Sequence, residues 1–266
     1  IKVDTFSAFL LDYKYQRKSE MSDLIQNNQR VNFIFIFINI FFILFYKKIP
    51  IFRKFLKNIV INDKSYIKNK NIEKRNLFNY EIFNGYFQNF ELVKNYRKDI
   101  IYLSKQKFNI KANDEFEELY KKIKSEKNSI AICYRSYDES KDPLEHSFLR
   151  RRIKVNDYNE VIKKIENELN NPHFFVFSEN NNNFIQNLKF NSNKTYVSAQ
   201  NGYISSWSTL KAQFLCKHQV LNNSTFYYWG LIFSEDFHKE KNRKKIVYIT
   251  NNFINQSVYD PRWRIF

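Results

Sequence analysis

The sequence predicts an α/β protein whose second half is a parallel, doubly wound sheet. Two observations carry that expectation. From residue 129 onward short apolar runs alternate with helix-periodic segments, and several of the runs end in a cluster of polar residues. Parallel strands covered on both faces by crossover helices produce this pattern, because they are apolar throughout rather than apolar at every second residue.

The elements follow in order. Ile130-Ala131-Ile132-Cys133-Tyr134 reads as a buried strand. Tyr158, Val161, Ile162, Ile165 and Leu169 recur at helical spacing and predict a helix over 157–169. Phe174-Phe175-Val176-Phe177 is the next strand, running into Ser178-Glu179-Asn180, and a short helix carries Phe184, Ile185 and Leu188. Thr195-Tyr196-Val197 is a strand; Ser205 to Cys216 is a helix; 219–221 is a brief strand. Asn222 and Asn223 break that strand, and Ser224 or Thr225 caps a helix over 225–233. Ile246-Val247-Tyr248-Ile249 is the last strand expected. In such a sheet the polar segments Arg135–Asp138, Ser178–Asn180 and Asn222–Thr225 gather on one edge.

The first half is less regular. Ile1 to Asp4 suggests a short strand. Residues 33–46 are nearly all apolar with Asn39 in their middle; at about 14 residues they fall short of the roughly 20 that a membrane-crossing helix needs. Lys47, Lys48, Arg53, Lys54 and Lys57 follow, interleaved with Ile49, Ile51, Phe52, Phe55, Ile59 and Val60. An apolar segment beside a basic amphipathic one fits a protein lying on an anionic membrane surface; a buried helix with a solvated basic flank is the plainer alternative. No small-residue cleavage site follows, so the segment does not read as a signal peptide. Residues 112–127, charged but with Phe116, Leu119, Tyr120 and Ile123 at helical spacing, look like an inter-domain helix. The expected division is 1–127, with the membrane-associating stretch at 33–60, and 128–266.

Composition sets outer bounds. At 266 residues, 43% hydrophobic and 18% aromatic, the chain buries a substantial core. Its 44 basic and 27 acidic side chains leave a formal charge of +17. That surplus suits nucleic acid, an anionic membrane or a phosphorylated small molecule, although abundant Lys and Asn in the composition produce it without any partner. Nucleic acid is disfavoured because the basic residues are spread along the chain and form no recognised motif. The two cysteines, Cys133 and Cys216, and the four histidines show no metal-ligand spacing. Reduced thiols point to the cytoplasm, and with the basic segment the expected location is peripheral, at the inner face of the membrane. Three glycines (Gly85, Gly202 and Gly230) cannot build a Gly-rich phosphate loop. The chain starts with Ile, and Met21 is its only methionine, as in a fragment lacking its N-terminus.

The chemistry concentrates on the expected sheet edge. A strand running into Asn223, Ser224 and Thr225 at a helix start is a device for holding an anion, since the first N–H groups and the positive helix end face whatever sits there. An N-capped core helix is the plainer reading of the same residues. Arg135 follows a strand and can grip a phosphate bidentately, or pair with Asp138 on the surface. Asp138 or Glu139 suits a general base toward an acceptor hydroxyl. Ser178 and Glu179 can accept hydrogen bonds from a base or ribose, or cap a helix. His218 can bond a phosphate or sugar hydroxyl, or complement a helix dipole.

One stretch is similar to a known pattern. Cys216, Lys217, His218, Asn223, Ser224, Thr225, Phe226, Trp229 and Gly230 match a motif that resembles C-K-H-x-I-I-A-N-S-T-F-S-W-W-G, from the α-1,2-fucosyltransferases of glycosyltransferase family 11. Gly85-Tyr86-Phe87-Gln88 resembles that family's G-Y-W-Q, and Phe177-Ser178-Glu179-Asn180 its F-S-D-D. Val3-Asp4-Thr5 is similar to the start of its L-D-T-S-x-F, and Pro261-Arg262-Trp263-Arg264-Ile265 to its P-x-W-x-x-I with the Ile one position early. The signature H-x-R-R-G-D appears as Cys133-Tyr134-Arg135-Ser136-Tyr137-Asp138, keeping the first Arg and the Asp. The family's opening strand and G-G-L-G-N-Q turn have no counterpart, as if the chain began downstream of them.

The resemblance implies a GT-B-like pair of Rossmann-type lobes, the N-terminal one incomplete. It implies inverting, metal-independent transfer of fucose from GDP-fucose to a galactoside hydroxyl, in α-1,2 linkage, in surface glycan synthesis. No cofactor is then expected beyond the nucleotide-sugar donor, and the partner is a glycan acceptor. Under this reading Arg135 and Asp138 are catalytic; Arg135, Ser178, Glu179, His218, Asn223, Ser224 and Thr225 bind the donor; Tyr86 and Gln88 lie on the acceptor side. Ser136 and Tyr137, where the family has its second Arg and Gly, leave open a related glycosyltransferase with another donor, or an inactive truncated homologue.

Overall fold

The computed structural model describes residues 33–56, 60–62, 82–84, 97–102, 104, 108–109, 111–136, 153–180, 182–239, 244–253 and 259–266. The chain divides into two compact units, Ile1–Leu92 and Val93–Phe266. In the first, helix α1 (Phe33–Lys48) turns into α2 (Pro50–Leu56). Strands β1 (Val60–Asn62) and β2 (Ile82–Asn84) pair in parallel, a pairing beyond the strands that the sequence leads one to expect. The strand expected over the first residues lies outside the described residues.

The second unit is built on a six-stranded sheet. Its strands are β3 (Ser129–Tyr134), β4 (His173–Ser178), β5 (Asn193–Val197), β6 (His218–Leu221), β7 (Val247–Ile249) and β8 (Arg264–Ile265). All neighbours pair in parallel, in the order β5-β4-β3-β6-β7-β8. The chain builds outward from β3 to β5, then returns to β3's other side and builds outward again. That is the Rossmann-like arrangement, and its order reverses between β3 and β6.

Both faces of the sheet are covered, which explains the uninterrupted apolar strands. Ala131, Cys133, Phe175, Phe177, Leu221, Val247 and Ile249 face a core formed with α3 (Asp114–Ser125), α6 (Ser206–Leu215) and α7 (Thr225–Phe237). Ile130, Ile132, Phe174, Val176, Val220 and Tyr248 face the opposite core, closed by α4 (Val155–Glu168) and α5 (Asn183–Gln186). The helix expected between lobes is α3. Its stripe of Phe116, Leu119, Tyr120 and Ile123 packs into the first of these cores, and the Tyr120 hydroxyl donates to the Ser208 carbonyl at 3.1 Å. Asn113 caps it, and Asp114, Glu115 and Glu117 complement its positive end.

Strand β8 goes beyond the last strand that the sequence suggests. Two residues, one of them an arginine, give no apolar run; side-chain bonds place them instead. Arg264 grips the Glu168 carboxylate at 2.6 and 3.1 Å, and the Trp263 indole N–H donates to Glu235 at 3.1 Å. The Arg264 guanidinium pulls the Glu168 carboxyl down to about 2.

A buried polar cluster joins α6, α7 and the start of β6. The Gln213 amide N–H group donates to the Tyr227 carbonyl at 2.8 Å and to the Gln219 side-chain oxygen at 3.2 Å. The Gln219 amide donates to the carbonyls of Gln213 and Cys216, and the Ser234 hydroxyl also donates to Cys216. A Cβ on Gly230 would overlap the Gln213 amide. In an open helix Ala is preferred to Gly by about 1 kcal/mol. Here we expect the opposite sign: Gly230→Ala displaces a bonded, fully buried amide and costs about 1–3 kcal/mol in urea unfolding. A stabilised Gly230→Ala protein would show that the helices are not held at this distance.

Lys245 generates a second expectation. Its Nζ is buried with no hydrogen-bond partner, near Cys216, Glu235, Arg97 and Arg262. Burial pushes its ammonium down to about 7, against the ordinary value of about 10.4 in an unfolded chain. The unfolded state therefore binds more protons between those values, so stability rises with pH across that window and is lowest below 7. Burial raises the thiols of Cys133 and Cys216, and their opposing effect sets in above about pH 8.5. Thermal unfolding should thus shift upward between about pH 7 and 8.5, and Lys245→Met should raise the pH 7 midpoint and flatten that rise. An unchanged midpoint and slope would place the ammonium in water.

Candidate functional site

Strands β3 and β6 end side by side where the sheet order reverses, and the helices α4 and α7 lie on opposite faces of the sheet. Ligands in open α/β sheets bind in the crevice at this position. The sequence supplies Tyr134-Arg135-Ser136 after β3 and Asn222-Asn223-Ser224-Thr225 after β6.

Asn222 joins the two loops. Its side-chain oxygen accepts the Arg135 backbone N–H at 2.9 Å, and its amide N–H group donates to the Arg135 carbonyl at 2.9 Å. The Asn222 backbone N–H donates to the Cys133 carbonyl at 3.4 Å. A side-chain amide has the donor and acceptor of a peptide group, so a buried Asn222 extends the β3–β6 ladder by one rung. It fixes the backbone of Arg135 while leaving the guanidinium partly exposed.

That guanidinium pairs with Glu179, just past the end of β4. The Ser136 hydroxyl donates to the same carboxylate at 3.1 Å. Arg135, Ser136 and Glu179 therefore form one cluster; the pairing of Arg135 with Asp138 considered from sequence lies outside the described residues. Ser178 ends β4 beside Tyr134, and its hydroxyl is buried without a partner.

Ser224 caps α7. Its side-chain oxygen accepts the Tyr227 N–H at 3.4 Å, and its carbonyl accepts the Tyr228 N–H at 2.9 Å. The Asn223 amide N–H group donates to the Asn252 carbonyl at 3.2 Å, and the Asn252 side-chain oxygen accepts the Thr250 hydroxyl at 2.5 Å. The N-capped core helix and the polar edge are thus both present: α7 is capped and buried along most of its length, and its first turn starts at the switch point.

His218 is not part of this edge. It opens β6 at the amino end, three residues before Leu221 closes it, and is fully buried. Its Nδ1 accepts the Ile246 N–H at 3.0 Å, and its Nε2 is buried without a partner. Burial, then the charges of Lys217 and Lys245, lower it to about 3, so it stays neutral near pH 7. A donor-binding role expected for His218 on this edge is corrected accordingly. The physical reason is length: Cys216 and Lys217 alone connect α6 to β6, so His218 enters the strand rather than ending the helix.

Asp138, Tyr86 and Gln88 lie outside the described residues. Arg135, Ser178, Glu179, Asn223, Ser224 and Thr225 all sit just at or past the carboxyl ends of β3, β4 and β6. Asn222 and Ser136 join them as residues whose roles the sequence did not assign. An Asn directly after a strand and an Arg directly after another are the only signals of that clamp in the chain. Among the described residues the cluster sets one guanidinium against one carboxylate, with the Ser136 hydroxyl on that carboxylate, at the same sheet edge as Ser178 and the positive end of α7. Among the described residues no group of three His, Cys, Asp or Glu side chains is placed to hold a metal ion. Compared with known proteins, the chain matches no family model, no curated protein and no solved structure.

Proposed function

We propose that the protein is a glycosyltransferase that binds a nucleotide-sugar diphosphate at the β3–β6 switch point. The reading taken from the sequence is GT-B-like, inverting and metal-independent, moving fucose from GDP-fucose to a galactoside hydroxyl in α-1,2 linkage. The observation that carries the proposal is the clamp by which Asn222 holds Arg135 next to the start of α7. It pairs a cation with a helix N-terminus, and both favour a diphosphate.

In this reading the acceptor hydroxyl oxygen bonds to the sugar's anomeric carbon from the face opposite the diphosphate. The bond from that carbon to the phosphate oxygen breaks, and its electron pair leaves with GDP. The hydroxyl proton passes to a base, for which Asp138 is the candidate. Arg135 and the first turn of α7 neutralise the charge growing on the departing diphosphate, at roughly 3–4 kcal/mol per well-placed donor. The Arg135–Glu179 pair opens to admit the donor, so Glu179 becomes available to accept hydrogen bonds from its ribose or base.

One observation favours a second reading within the same class. Ser136, where the resembling family has a second Arg, bonds Glu179, so among the described residues Arg135 is the cation that pairs with this carboxylate. A donor with a less demanding diphosphate contact, and a base other than guanine, fits that balance.

Thermal unfolding with GDP, GDP-fucose, GDP-mannose and UDP-sugars separates the readings. A ligand at a hundred times its Kd adds about 2.7 kcal/mol, a rise of several degrees for a chain of this size. The first reading expects the rise with guanine nucleotides and its loss in Arg135→Ala. A rise with UDP-sugars alone selects the second reading. No rise with any nucleotide, or an unchanged rise in Arg135→Ala, leaves Arg135 as the ion-pair partner of Glu179 and nothing more.

A further inference from the structure

The α1–α2 hairpin presents a surface that the switch-point site does not use. A tight turn joins its helices: the Ile49 N–H donates to the Phe45 carbonyl at 3.0 Å and the Phe52 N–H to the Ile49 carbonyl at 3.1 Å. Pro50 starts α2, where its missing N–H and fixed φ are no handicap. Inside the hairpin, Leu56 is buried against Phe42, Ile43, Phe45 and Tyr46, and the Phe45 ring meets Phe41 at 4.0 Å and Phe52 at 5.2 Å. The two helices therefore have an inner face of their own.

Their outer surface is large and apolar. Phe55 is 74% exposed, Ile51 71%, Phe37 57% and Phe41 51%, with Phe52 and Ile49 beside them. Clustered exposure of this kind marks an interaction surface. Charge identifies the occupant. No acidic residue occurs between Asp23 and Asp63, whereas Arg30, Lys47, Lys48, Arg53, Lys54 and Lys57 are all basic. Lys48 and Lys54 are exposed on either side of the turn. A protein partner would have to bring an apolar groove and a ring of carboxylates together, whereas an anionic bilayer offers an acyl layer and negative headgroups at adjacent depths. Crossing is not indicated. The 16 residues of α1 reach about 24 Å, against a hydrocarbon core of about 30 Å. No helix among the described residues is long and apolar enough to cross a membrane.

We propose that the α1–α2 hairpin docks on an anionic lipid surface, with Ile51, Phe55 and Phe41 in the headgroup–acyl boundary and Lys48 and Lys54 on the lipid phosphates. This goes beyond the glycosyltransferase reading and stands or falls separately from it. The test is co-sedimentation of the full chain with phosphatidylcholine vesicles, with and without phosphatidylglycerol. Binding is expected to vesicles containing phosphatidylglycerol, to fall with added salt, and to be weak on phosphatidylcholine alone. Ile51→Ser with Phe55→Ser, and separately Lys48→Gln with Lys54→Gln, should each weaken it on the order of tenfold or more. These side chains are exposed, so the variants should keep the parent's circular dichroism and unfolding midpoint. Equal binding to neutral vesicles, no binding to either, or binding unchanged by both pairs of substitutions would overturn the proposal. So would unfolding of the Ser variant, which would make the segment core, or a dimer that the Ser variant splits, which would make a second copy the occupant.

Discussion

Two hydrogen bonds from one side chain organise the polar edge of this protein. Asn222 bonds both backbone groups of Arg135, and so ties the end of β3 to the end of β6 where the strand order reverses. Without that tie the loops after the two strands have no common frame, because the ladder itself stops at Cys133 and Leu221. With it, the guanidinium of Arg135, the hydroxyl of Ser136 and the capped start of α7 belong to one rigid edge. Asn222 is fully buried, so an apolar replacement would leave both Arg135 backbone groups to find other partners.

The stretch from Cys216 to Gly230 divides in physical role. Cys216 is a buried thiol, and its carbonyl accepts from Gln219 and Ser234. His218 is a neutral strand residue whose ring receives the backbone N–H of Ile246, just before β7. Gly230 exists for close approach, since any side chain would meet Gln213. These residues hold α6, α7 and β6 in position. Asn223, Ser224 and Thr225 alone of that stretch stand with Asn222 at the polar edge. A run of residues can therefore read as one motif while half of it is scaffold. The functional proposal accordingly rests on the edge half and on Arg135 across from it.

Much of the sheet lobe was legible in the sequence because burial on both faces forces it to be. Ile130–Tyr134 and Phe174–Phe177 are apolar without interruption, and the helices between them repeat at 3.6 residues. What was not legible depends on side-chain partners far away in sequence. β8 is fixed by Arg264 reaching Glu168 and by Trp263 reaching Glu235, and neither leaves a local pattern. The parallel β1–β2 pair is three residues long on each side. Asn222 reads as a strand breaker until its side chain is seen to bond the Arg135 backbone across the strand ends. Lys245 sits in a run of charged residues that reads as solvated, yet its Nζ is buried beside Cys216. At the edge, the residue types foretold the place but not the pairing: Glu179, expected to meet a ligand, meets Arg135.

The central claim is that the crevice between β3 and β6 is an anion site for a nucleotide diphosphate. Backbone amide resonances followed during titration with GDP test it most directly, because the claim concerns N–H groups at named positions. The account predicts the largest shifts at Arg135, Ser136, Glu179 and Asn223 to Phe226, with His218 and Ile246 at the opposite edge unmoved. Saturable shifts confined to the amino edge of the sheet, or no saturable shift with GDP, UDP or pyrophosphate, would contradict it.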